Sequence, residues 1–344
     1  MFFKKTMVLI LMTFSVLFIV SQPFHVSANL EALKPEAPAA VQWVQVPSGT
    51  TESLSQVDFI DASHGWVVGL DAILNTDDGG ATWDLQISPD GTDTQGVSFI
   101  SLNQGWMTGA HPTNGSHTAH TLDGGQTWDI NLEGSTSTLP GKLQFVDSNR
   151  GWRTILRFSP PFFFGITESL DGGSTWVDLD AGLSLGRGFH LLPSGQGWVV
   201  GNGGEIATRD SFGQTFYSQV SNTGERLFDV FFINNQVGWA VGENGAIIHT
   251  SNGGDLWQVQ TSNTSEHLNA VFFFDANFGW AVGDNGIIVH TENGGTNWVI
   301  HPSGVSESLF SVDFPERDDG WVVGYNGTLL HYKVWKVYLP FLIR

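Results

Sequence analysis

The side chains best suited to chemistry in this 344-residue chain are its acids and its histidines: 34 Asp+Glu and 11 His stand against 14 Lys+Arg, with no cysteine. Two carboxylates at the right separation hydrolyse glycosidic bonds, one as acid and the other as nucleophile or base. Converging histidines hold a metal ion. The lack of cysteine removes thiol nucleophiles, thiolate metal sites and disulfides. A formal charge of −20 disfavours nucleic acid, whose phosphates attract basic surfaces. Which acids and histidines can act together depends on the elements that carry them, and a repeat sets those elements.

The dipeptide Gly-Trp begins at Gly65, Gly105, Gly151, Gly197, Gly238, Gly279 and Gly320, at intervals of 40 to 46 residues. Around Gly279 the pattern predicts strands over 269–274, 279–283, 287–291 and 297–300, joined by short Gly- and Asn-containing hairpin turns. Four antiparallel strands per repeat is the pattern of a propeller blade. Seven repeats predict an all-β, seven-bladed propeller over 41–332. The seventh repeat lacks its fourth strand, and Val41-Gln42-Trp43-Val44-Gln45-Val46 has the look of Asn297-Trp298-Val299-Ile300. The N-terminal strand is therefore expected to complete the last blade and close the ring.

Both ends fall outside the repeats. Lys4 and Lys5, an apolar run over 7–20 and the small-residue site Val26-Ser27-Ala28 read as a cleavable secretory signal over 1–28. The run is shorter than the roughly 20 residues a spanning helix needs, so no stable membrane insertion is expected after cleavage. Residues 29–40 read as a linker, and 333–344 as an apolar and basic tail. The expected location is secreted, periplasmic or cell-surface.

Between the third and fourth strands lies a recurrent box: TDDGGATW at 76–83, TLDGGQTW at 121–128, SLDGGSTW at 169–176, TSNGGDLW at 250–257 and TENGGTNW at 291–298, decaying to RDSFGQTF at 209–216. This is the Asp-box pattern. The oxygen of Asp78, Asp123, Asp171, Asn252 or Asn293 can accept N–H groups within its own turn. The rings of Trp83, Trp128, Trp176, Trp257 and Trp298 can anchor the outer strand between neighbouring sheets. The boxes lie far apart on the ring, which favours a structural role for them over a catalytic one.

Gly-Trp-x-Val-Gly, then Asn-Gly, then an Asp-box resembles the photosystem II stability/assembly factor family, over nearly all of the chain between 41 and 332. The resemblance implies a seven-bladed propeller that binds a reaction-centre protein as a non-catalytic chaperone, outside the cytoplasm and without a cofactor. It also implies a basic partner surface, and here the chain departs: no arginine-rich patch spans several blades. The Asp-box is shared with sialidases and other glycoside hydrolases, and such an enzyme is the alternative reading. A sialidase-like site needs clustered arginines and a tyrosine nucleophile. The chain has eight arginines, no tyrosine in its first half and no Arg-Ile-Pro segment.

The recurrent His120, His249, His290 and His331 occupy equivalent positions on different blades, too far apart to share one ion. The acids are more suggestive. Glu52, Glu225, Glu266 and Glu307 each lie thirteen residues before a Gly-Trp glycine, on blades that are consecutive around a closed ring. Glu243 and Asp284 fall in the turn between second and third strands, at the same end of the blade. One sector of one face should be strongly acidic and is a candidate docking surface for a basic segment of another protein, envelope or membrane-associated. The propeller itself is expected to be monomeric. Inner-strand positions eight and six before each Gly-Trp glycine are apolar throughout. The position between them varies: Asp58, Ser98, Gln144, His190, Phe231, Phe272 and Asp313.

Overall fold

Each Gly-Trp dipeptide lies at the start of the second strand of a four-stranded antiparallel sheet, and seven such sheets form the ring. The computed structural model describes residues 43–87, 93–111, 113, 115–133, 138–158, 163–183, 186–210 and 215–333, all within the compact unit Val41–Arg344. The expected signal, linker and the tail beyond Lys333 lie outside the described residues.

Blade 6 shows the repeat: Leu268–Phe273 innermost, then Gly279–Gly283, Ile288–Thr291 and Val299–His301. The outer strand starts after Trp298, two residues later than the sequence pattern suggests. Asn297 is still part of the box, its N–H donating to the Asn293 side chain at 2.9 Å.

The aromatic repeat is explained by packing between blades. The inner-strand Phe273 stacks on Trp239 of the preceding blade, with centroids 3.4 Å apart, and meets the Asp-box Trp298 of its own blade edge-on at 5.8 Å. Trp66, Phe99 and Trp128 repeat the sandwich at 3.5 and 6.0 Å. Such faces bury large apolar area and lock neighbouring sheets together. The glycine of the dipeptide makes room for the ring: a Cβ on Gly279 would lie 2.4 Å from Phe273.

Blade 7 consists of Leu309–Glu316, Asp319–Gly324 and Leu329–Lys333, and Trp43–Gln45 completes it. Trp43 pairs with Tyr332 and Gln45 with Leu330, antiparallel, and the Val46 N–H donates to the Leu329 carbonyl at 2.9 Å. Trp43 is buried against Trp280, Phe314 and Tyr332. The ring is closed by the N-terminal strand, as the complementary ends of the repeat predict.

In blades 4 to 7 the second and third strands are joined by single 3₁₀ turns, Asn202–Gly204, Glu243–Gly245, Asp284–Gly286 and Tyr325–Gly327. Their middle residue is left-handed, with Asn244 at φ 56° and Asn285 at 55°; asparagine tolerates this because its side chain bonds locally. The last glycine of each turn lies hard against an inter-blade connection. A Cβ on Gly245 would sit 2.2 Å from the Thr264 carbonyl oxygen. These turns and the connections therefore share one face of the ring, termed the connection face below.

Candidate binding face and axial channel

The six acids singled out by register all belong to connections or turns of that face. Glu52 is exposed; Glu225, Glu243, Glu266, Asp284 and Glu307 are half-buried. Several also hold the loops. Glu225 accepts from the Asn244 amide at 2.8 Å and Glu266 from Asn285 at 2.6 Å, clamping the left-handed residue of the adjoining turn. Glu243 pairs with Arg226 at 3.3 Å, Asp284 accepts from Asn269 at 2.9 Å, and Glu307 accepts the Ser306 N–H at 3.0 Å. The acids are thus structural as well as charged, a coupling that spacing alone does not reveal.

At the centre of the ring is a cavity of about 620 Å³ to which all seven blades contribute. The variable inner-strand position lines it, and its chemistry is now explained: each such residue reaches the inner strand of the next blade. Asp58 accepts the Phe99 N–H at 2.6 Å, Ser98 the Phe145 N–H at 2.9 Å, Gln144 the Leu191 N–H at 2.9 Å and Asp313 the Phe59 N–H at 2.7 Å. On the other side rings replace hydrogen bonds: His190 on Phe231 at 4.7 Å, Phe231 on Phe272 at 5.1 Å and Phe272 on Phe314 at 5.8 Å. One half of the channel wall is polar and the other aromatic. Burial, then Lys142, keep His190 neutral by lowering its pKa to about 3.

Two cations line the same cavity. The Lys142 ammonium meets Asp229 at 2.5 Å. Arg187 was not singled out by the sequence pattern. Its guanidinium lies between the Phe164 and Phe228 rings, 5.3 and 5.7 Å away, while its Nε donates to Asn202 at 2.8 Å. Among the described residues no carboxylate forms an ion pair with it. Burial, then the charge of Arg226, lowers its pKa. A guanidinium held this way at a channel mouth is suited to a carboxylate from outside.

The remaining arginines of blades 3 and 4 are engaged within the framework. Arg153 is buried and grips Glu133 with two bonds, 2.6 and 2.7 Å, under the Trp176 ring. Arg209 grips Glu168 at 2.6 and 3.2 Å, and Arg157 grips Asp178 at 3.1 Å. These pairs hold Arg153, Arg157 and Arg209 within the framework.

The boxes are turn braces. Asp123 accepts the Thr127 N–H at 2.9 Å and hydroxyl at 2.6 Å, and the Thr121 hydroxyl at 2.8 Å. Asp78 and Asp171 repeat this, and Asn252 and Asn293 keep the N–H bond at 3.0 and 2.9 Å. Trp257 and Trp298 are buried, while Trp83, Trp128 and Trp176 are half-buried. The recurrent histidines stack on the Gly-Trp ring of their own blade, from His331 on Trp321 at 4.0 Å to His120 on Trp106 at 4.9 Å.

Fold and face together define an Asp-box propeller with a concave, all-blade channel mouth on its connection face. Residues 35–151 and 210–304, more than half of the chain, match the family described as photosynthesis system II assembly factor YCF48, and the chain belongs to that family. A curated relative, the photosystem II assembly lipoprotein Ycf48 of Synechococcus sp. (strain CC9902), is 34% identical over 91 residues. That match spans 25% of this chain and only 26% of the relative's length. A solved structure of YCF48 bound to a D1 peptide superposes with a TM-score of 0.69 at 24% identity, over 85% of this chain and 96% of that one. A GH74 enzyme from Niastella koreensis superposes at 0.66 with 12% identity, over 84% of this chain and 53% of that one, a likeness of fold.

Proposed function

We propose that this protein is an exported, non-catalytic scaffold that binds an extended segment of a membrane-associated protein on its connection face. The observation that carries the reading is that all six register-selected acids belong to the connections and turns of one face, the face on which Arg187 bonds the Asn202 turn and lines the axial cavity. Cationic residues of the client meet the acidic sector, and a carboxylate of the client meets Arg187. Family membership supports an assembly role, and a YCF48 structure bound to a D1 peptide supports peptide binding by a propeller of this fold.

The test is capture from detergent-solubilised envelope membranes of the source organism. The bait is wild type or a variant carrying Glu52→Gln, Glu225→Gln, Glu266→Gln and Glu307→Gln. Surface charges set association rate and salt dependence. The variant should recover the client more slowly, with a flatter dependence on salt. Equal recovery with equal salt sensitivity removes the acidic sector from the reading. Turnover of a chromogenic glycoside that is lost on changing one carboxylate would replace the scaffold with a hydrolase.

A further inference from the structure

At the variable inner-strand position, two of the seven contacts between successive blades are made by carboxyl groups, and they are adjacent. Asp313 bridges blade 7 to blade 1, the joint between the last and first blades, and Asp58 bridges blade 1 to blade 2. Both face the same cavity. Ser98 and Gln144 make the same bridge at that position without a charge; off that position Asp229, paired with Lys142, accepts the Val271 N–H at 3.2 Å between blades 5 and 6.

Among the described residues no cation forms an ion pair with Asp58 or Asp313. The charged or titratable groups lining the cavity from other elements are Lys142, Asp229, Arg187, His190 and Tyr325. Lys142 is held by Asp229, Arg187 by Asn202 and its two rings, and His190 is neutral. Of the second strands packed behind, Gly65–Gly69 carries no titratable group. Asp319–Gly324 carries only Asp319, whose partners are His331 at 2.7 Å and Lys333 at 2.9 Å.

We propose that the two joints of blade 1 form a pH-sensitive latch, tight while at least one of Asp58 and Asp313 is protonated and looser when both are ionised. A protonated carboxyl still offers a carbonyl oxygen to the neighbouring N–H, so the bridge survives neutralisation. Two like charges in one enclosed site repel and raise each other's proton affinity. Burial lifts Asp313 to about 6, and burial with the Asp313 charge lifts Asp58 to about 7. Because both folded values exceed the ordinary carboxylate value of 3.8, the folded ring binds more protons than the unfolded chain between these limits. The latch contribution therefore weakens as pH rises from about 4 to about 7 and is level above that.

The neutral buried histidines act in the opposite sense. His190 and His290, both lowered to about 3, penalise the fold as pH falls below the ordinary value of 6.5. A whole-protein melting profile sums the two effects, so the test must read the joints themselves. Amide hydrogen exchange of the full chain, corrected for the intrinsic pH dependence, is compared at about pH 5.5 and about pH 8. The segments 54–59 and 93–99 should lose protection at the higher pH relative to 227–232 and 268–273, by at least about threefold. In Asp58→Asn/Asp313→Asn this excess should vanish. Asp313→Ser, which copies the bridge that Ser98 already makes, should reduce it as well. Protection that changes equally in all four segments of the wild type, or a pH response that persists in the double variant, overturns the latch.

Discussion

The Asp313 carboxylate of the last blade accepts the backbone N–H of Phe59 in the first at 2.7 Å, across 254 positions of sequence. The ring is therefore closed twice at one joint. Near the axis a side chain caps the neighbouring inner strand. At the rim Trp43–Gln45 supplies the strand that blade 7 lacks. The two closures are independent in sequence and share one consequence: the first and last described strands are held in one blade.

Loss of the rim closure should be severe. Removing residues 41–46 leaves Leu329–Lys333 as an unpaired edge, a template for aggregation. Trp43→Ala alone should cost about 3–5 kcal/mol by the large-to-small rule for buried aromatics, since the ring touches Trp280, Phe314 and Tyr332. Removing residues 29–40 should leave the urea midpoint unchanged. Equal midpoints for the two truncations would show that the N-terminal strand does not hold the ring.

The box aspartates should tolerate asparagine and reject alanine. Asp123→Asn keeps the oxygen that takes the Thr127 N–H, as Asn252 and Asn293 do for their own turns. Asp123→Ala leaves that turn without its brace and should melt at a lower temperature than Asp123→Asn. Acid titration gives a second readout. The Thr127 hydroxyl, followed by its N–H, holds Asp123 down to about 2, below its ordinary 3.8. Its contribution is complete above the unfolded value and is lost as pH falls through about 2. The difference between wild type and Asp123→Ala should therefore shrink in strong acid, as followed by circular dichroism.

The buried pair Arg209–Glu168 should behave as a unit. Its side chains are 3% and 8% exposed, so removing Glu168 strands the Arg209 charge, while removing Arg209 leaves Glu168 with the longer contact to Arg150 at 3.7 Å. Arg209→Ala should destabilise the ring by about 3–5 kcal/mol. Glu168 also accepts from Trp152 at 3.0 Å, so Glu168→Ala frees the indole as well as the guanidinium. The double variant should be more stable than the sum of the two losses implies, and a double-mutant cycle in urea measures the coupling. Additive losses would mean that the two groups contribute separately.

The fold was legible because one packing solution recurs seven times and leaves the same residues each time. A glycine, two aromatic faces and a braced turn repeat at a fixed interval, and the blade that lacks a strand is completed by the other end of the chain. The channel wall was half legible. The irregular run from Asp58 to Asp313 marked a change of environment, yet nothing in it stated that its Asp, Ser and Gln members cap the next blade, because those partners lie one repeat or, for Asp313, the whole ring away in sequence. The acids on the connection face could be placed by register, but their bonds to Asn244 and Asn285 depend on a left-handed turn that composition does not encode. Arg187 carried no sequence signal at all. Its distinction is the lack of a paired carboxylate, visible only once Arg153, Arg157 and Arg209 are seen to have one each.

The glycine of the repeat makes the most direct test of the packing argument. Gly279 has ordinary backbone angles, so alanine is excluded there by space alone. The obstructing ring cannot move aside: Phe273 is clamped between Trp239 at 3.4 Å and Trp298 at 5.8 Å. Gly279→Ala should therefore force the blade 5–blade 6 sandwich apart and cost about 1–3 kcal/mol, the usual penalty for overpacking. Gly224 is the control, because a Cβ there meets nothing within 4 Å and its φ is also ordinary. Gly224→Ala should be neutral or stabilising by about 0.4–1 kcal/mol, through the entropy of the unfolded chain. Trimming the ring should relieve the clash, so Phe273→Leu should cost less in the Gly279→Ala background than in wild type. If Gly224→Ala and Gly279→Ala unfold at the same urea concentration, the glycine of the repeat owes its place to something other than the ring beside it.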